Sequence, residues 1–89
     1  MDTADADARA LTARLTLHSG SDTTARDDAR ERVESALEGL DGWRIEGCEI
    51  VEPPAAPFEP HTLAVRVVAD AGTTDDAEEA LARNGIEVV

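Results

Sequence analysis

The chain has 89 residues, 20 of them acidic and 8 basic, for a formal net charge of −12. Every basic residue is Arg, Cys48 is the only cysteine, and there is no Lys or Tyr. This length supports one small domain. A disulfide framework is excluded, and so is chemistry that needs a Lys, such as a Walker-type phosphate loop or a Schiff base.

The charge argues about surroundings before it argues about fold. A net −12 surface repels a phosphate backbone and an anionic membrane, so neither nucleic acid nor membrane is expected as a partner. No apolar run approaches the ~20 residues of a membrane-spanning helix. Self-repulsion at this charge density destabilises a compact state. In ~1 M salt the Debye length is only ~3 Å, and neighbouring surface charges then hardly interact. The apolar residues lean small, with 16 Ala, and salt also strengthens the burial that such a core supplies. A salt-rich cytoplasm is the expected location.

Residues 1–10 (MDTADADARA) are expected to form a flexible acidic tail, too polar for a secretory leader. The domain proper is expected over 11–89. Leu11–His18 (LTARLTLH) alternates, with Leu11, Ala13, Leu15 and Leu17 on one parity, as a half-buried strand requires. Ser19–Thr24 supplies a turn and a helix start, with Ser21 or Asp22 as the cap. A helix to about Leu40 follows, with Ala25, Ala29, Val33, Ala36, Leu37 and Leu40 on one stripe and Gly39 and Gly42 as stops.

Trp43–Glu52 reads as a second strand whose parity slips at Gly47, the mark of a bulge. The Pro-rich segment 53–60 is a stiff connection anchored by Phe58. His61–Ala69 is a third strand, with Leu63, Val65 and Val67 on one face. Thr73 with Asp76 suggests a capping box for a second helix carrying Ala77, Ala80 and Leu81. Gly85 ends that helix, and Ile86–Val89 forms a last strand. The order β-α-β-β-α-β predicts an α+β, ferredoxin-like sandwich: a four-stranded antiparallel sheet with two helices on one face.

The composition resembles that of proteins from salt-in haloarchaea. The Gly-containing turn after strand one and the ending AEEALARNGIEVV resemble the layout of the small-molecule-sensing ACT domains. That resemblance implies a ligand, an amino acid or other carboxylate, near Ser19, Gly20, Ser21 and Asp22. The turn by itself offers helix N-terminal donors to an anion, with Asp22 opposing one.

Other candidate chemistry is sparse. His18 ends the first strand and His61 starts the third. With those strands taken as parallel neighbours, the two imidazoles fall at opposite ends of the sheet, roughly 25 Å apart, and cannot share a zinc ion. Each then reads as an ordinary surface or strand-end residue. Cys48 has no activating neighbour in sequence and reads as packing. No cofactor, metal site or catalytic constellation is expected. The sheet face away from the helices should carry Thr12, Arg14, Thr16, His18, Thr62, Ala64, Arg66 and Val68. Without aromatics it does not suit RNA. Its arginines suit an acidic partner or a second copy, which makes Arg14, Thr16, His18 and Arg66 the candidate interaction residues. The sequence therefore favours a non-catalytic interaction or regulatory module that self-associates, with the ACT-like sensor as the alternative.

The charge argument predicts that the domain loses its structure in dilute buffer and regains it in multi-molar KCl. Circular dichroism across a salt series checks this, and an unchanged cooperative melt in dilute buffer would overturn it.

Overall fold

A computed structural model describes residues 8–52, 54–56 and 59–89. Phe58 and residues 1–7 lie outside the described residues. The elements run β1 (Arg9–Leu17), α1 (Asp22–Ala36), β2 (Trp43–Glu52), β3 (His61–Ala69), α2 (Ala71–Arg83) and β4 (Glu87–Val88). They form the α+β sandwich expected from the element order. Strands β1 and β4 differ from the expected limits by one or two residues, and β1 takes in Arg9 and Ala10 from the segment read as tail.

The sheet order is β2-β3-β1-β4. Strand β3 is antiparallel to both β1 and β2, which makes β1 and β2 parallel, joined through α1, with β3 returning between them. This is the split βαβ arrangement. It corrects the expectation that β1 and β3 run parallel: a strand that follows β2 directly and pairs with it must run back against both neighbours.

Register decides which side chains are inside. Strands β1 and β3 pair without a slip from Arg9↔Ala69 to Leu17↔His61. Side chains alternate between faces along a strand. Leu11, Ala13, Leu15 and Leu17 therefore share the buried face with Val67, Val65, Leu63 and His61. Helix α1 covers them with Ala25, Ala29, Val33 and Ala36, α2 with Thr74, Ala77, Ala80 and Leu81. Leu37, Leu63 and Leu81 are the largest side chains with no exposure. Strand β2 is an edge and slips twice, between Ile45 and Gly47 and between Ile50 and Glu52, so the bulge expected at Gly47 is present and Val51 marks a second. Trp43, Ile45, Cys48 and Ile50 pack against the margin of the core, and the Trp43 indole N–H donates to the Leu40 carbonyl at 2.8 Å.

Helix α1 starts on a Ser21 cap and ends at Ala36, with Leu37 as its C-cap, one turn short of the expected end at Leu40. Helix α2 starts differently from the expectation. Asp70 is its N-cap and makes no side-chain capping bond. The Thr73 hydroxyl donates to the Asp41 carbonyl at 3.0 Å, so it ties α2 to the α1–β2 turn. The Thr73/Asp76 capping box does not form, because the helix begins at Ala71 and Thr73 is already inside its first turn. The Asp70 N–H donates to the Gly42 carbonyl at 2.9 Å, closing the same junction.

Gly42 holds that junction with a positive φ of 83°, and a Cβ there would run into the Asp70 carboxylate. Gly39 has a φ of 92° with open space around it. Gly39→Ala is therefore expected to cost about 1 kcal/mol of backbone strain. Gly42→Ala should cost somewhat more, about 1–2 kcal/mol, because the exposed Asp70 carboxylate must also swing aside and the Thr73 hydroxyl is crowded. Urea midpoints of the two variants at one fixed salt concentration check the ordering.

Candidate functional site

The uncovered face of the sheet holds most of the expected interaction residues. Thr12, Arg14 and Thr16 of β1 lie in register with Arg66, Ala64 and Thr62 of β3. Arg14, Thr16 and Arg66 are exposed, while Thr12, Thr62, Ala64 and Val68 are half-buried. His18 is exposed but lies one residue beyond the end of β1.

Strand β2 adds residues that sequence parity did not reveal. Arg44 pairs with Val68, Glu49 with Ala64 and Glu52 with Thr62, which puts all three on the uncovered face. The first bulge turns Glu46 to the same side. Its two carboxylate oxygens form ion pairs, one 3.2 Å from Arg66 Nε and the other 3.6 Å from Arg44. Arg66 is thus engaged within its own subunit, whereas Arg14, opposite Glu87 of β4, forms no ion pair among the described residues. These exposed pairs contribute little stability, ~0–1 kcal/mol each. Their importance is the pattern of charge they hold at the surface.

The β1–α1 turn is occupied by its own hydrogen bonds. Ser21 Oγ accepts from the Thr24 N–H at 3.2 Å and donates to Thr24 Oγ1 at 2.9 Å. The Ser19 hydroxyl donates to the Ser21 carbonyl at 3.1 Å, and Gly20 is exposed. Asp22, the first residue of α1, turns its carboxylate onto His61, with Oδ1 3.0 Å from Nε2. The turn therefore presents a carboxylate and a satisfied cap where an anion would have to sit.

His61 departs furthest from the sequence reading. Antiparallel pairing brings it to the same end of the sheet as His18, not the opposite one. It is also 4% exposed, on the core face between α1 and the sheet. A carboxylate partner requires Nε2 to carry the proton, which leaves Nδ1 as the buried atom with no partner. The signal in the sequence was its parity with Leu63, Val65 and Val67.

Cys48 is half-buried at the margin of the core. Arg26 and Arg30 approach it from α1, but desolvation outweighs them and pushes its thiol pKa up. A raised value keeps the group a neutral thiol at neutral pH, the opposite of an activated nucleophile. A thiolate is better accommodated in the unfolded chain, so this residue lowers folding stability only as the pH rises past the ordinary thiol range. Among the described residues, no group of three or more His, Cys, Asp or Glu could hold a metal ion. No helix among them is long and apolar enough to cross a membrane. No protein-family model matches the chain, and no curated protein matches it significantly.

The His61–Asp22 pair links β3 to the start of α1 and yields an asymmetric expectation. Asp22→Ala leaves both imidazole nitrogens unpartnered. It should cost about 1 kcal/mol, the low end of the usual penalty, because water can reach the gap left by an exposed side chain. His61→Leu removes the buried polar group and keeps most of the volume. In the Asp22→Ala background it should restore stability rather than lower it further. Chemical denaturation of the two single variants and the double variant checks the cycle.

Proposed function

We propose that this chain is a non-catalytic interaction module that docks a second copy of itself through the uncovered sheet face, in a salt-rich cytoplasm. The observation that carries the reading is the charge of that face. Arg14, Arg44 and Arg66 stand there with Glu46, Glu49, Glu52 and Glu87, a near balance in a chain with 8 basic and 20 acidic residues. The excess of acid falls on the other surfaces. The outer side of α2 alone carries exposed Asp75, Asp76, Glu78 and Glu79 against a single Arg83.

Between the charges runs a patch of small side chains, Thr12, Thr62, Ala64 and Val68, that a flat partner could approach closely. A two-fold axis along the strands brings the glutamate-bearing β2 of one copy toward the Arg14 side of the other. Such an isologous contact needs a patch complementary to itself, and mixed charge around small residues supports that. The acidic helical layers would then both face solvent. The ACT-like alternative gains nothing from the β1–α1 turn, whose cap is satisfied and whose Asp22 would repel a carboxylate.

Light scattering after size exclusion in multi-molar KCl, over a concentration series, tests the reading. The chain is expected to run as a dimer or larger species, and both Arg14→Glu/Arg66→Glu and Ala64→Arg to run as monomers with unchanged circular dichroism. A monomer at every concentration of the unaltered chain would overturn it.

A further inference from the structure

Strand β4 covers very little of β1. Its two residues pair only with Ala13 and Arg14, although β1 runs for nine residues. The Val89 N–H donates to the Thr12 carbonyl at 2.9 Å, so the main-chain groups of Thr12, and of residues two and four positions along, point to the β4 side. The N–H and C=O of Thr16 therefore lie on an open strand edge, with no strand opposite them among the described residues.

A cleft of about 680 Å³ opens at that edge, between β1, one flank of α1 and the α2–β4 turn. Its size falls within the ~300–1,000 Å³ of small-ligand sites. Buried Leu15, Leu17 and Ile86 form part of its lining, and its rim is charged with both signs. Arg32 reaches it from α1 and Arg14 from β1, and neither forms an ion pair among the described residues. Asp28, Glu31 and Glu87 line the same space. On α1 these residues, with Ser35, recur at three and four, so a whole polar flank of the helix faces the cleft and not the core.

From these three features we infer that the cleft binds a short peptide with free ends. Guanidinium groups suit a carboxylate, which each can hold through two parallel N–H donors. The carboxylates suit an ammonium. The open edge at Thr16 offers one donor and one acceptor to an amide, the strand-addition mode of peptide recognition. A simple anion would use the arginines and leave three carboxylates repelling it. A simple cation would leave the arginines idle. A zwitterion with an amide between its ends uses all of them. The cleft shares Arg14, Thr16 and Glu87 with the face proposed above for self-association but also needs α1 side chains that this face lacks, so Arg32 distinguishes the two readings.

The test is a titration of the isotope-labelled chain with trialanine, followed by amide chemical shifts, at the lowest salt that keeps the fold intact. N-acetyl-trialanine amide, which lacks both charges, serves as the comparison. Trialanine is expected to move the amides of Thr16, Arg32 and Gly85 saturably, with the blocked peptide binding at least about tenfold more weakly. Arg32→Gln should weaken trialanine by a similar factor while the rest of the spectrum superposes. The inference fails if trialanine moves nothing up to about 20 mM, well above the millimolar affinity of a weak site. It fails equally if the blocked peptide binds as well, or if Arg32→Gln changes nothing. An oligomer disrupted by Arg14→Glu/Arg66→Glu would be untouched by Arg32→Gln, so the two readings are separable.

Discussion

The pairing of β1 with β3 sets the rest of this structure. Nine consecutive residue pairs meet without a slip, and each pair commits its side chains to one face or the other. A displacement of one residue would turn the Leu and Val side chains outward and the Thr and Arg side chains inward. Three separate features follow from one register: the buried Leu–Val layer, the exposed Thr–Arg face, and the enclosure of His61 beneath α1.

That register also explains which parts of the molecule were legible. Strict alternation in LTARLTLH and HTLAVRVVA is a local signal, and it located both strands and both faces. The helix stripes were local too, with Ala25, Ala29, Val33 and Ala36 buried as spaced. The features that escaped depend on partners distant in sequence. His61 meets Asp22 across 39 positions. Thr73 has Asp76 three residues on, the spacing of a capping box, but its hydroxyl donates to the Asp41 carbonyl, 32 positions away. The guanidinium groups around Cys48 come from α1, and Glu46 reaches Arg66 only because a bulge turns it. The uncovered face was therefore half visible: its β1 and β3 residues followed from parity, and its β2 residues did not.

The core that results is thin. Ala25, Ala29, Ala36, Ala77 and Ala80 make up much of the helical contribution, so the helices add little apolar area per residue. A two-layer domain of this size hides only about two-thirds of its unfolded surface, and small side chains keep the stabilisation modest. The same residues set the electrostatic layout. The outward side of α2 carries four acidic residues against Arg83, while the sheet face keeps both signs close to balance.

Strand β2 has a consequence beyond its part in the uncovered face. It is a ten-residue edge strand, a shape that invites pairing with the edge of another molecule. Its glutamates would ordinarily discourage such pairing by repulsion. In concentrated salt that repulsion reaches only about 3 Å, so in the salt-rich setting proposed above a defence based on charge would fade. The extra residues at Glu46 and Val51 bend the strand out of the straight line that an incoming edge must match. Steric mismatch does not depend on ionic strength, so the guard against aggregation persists in brine after the electrostatic one has been screened away.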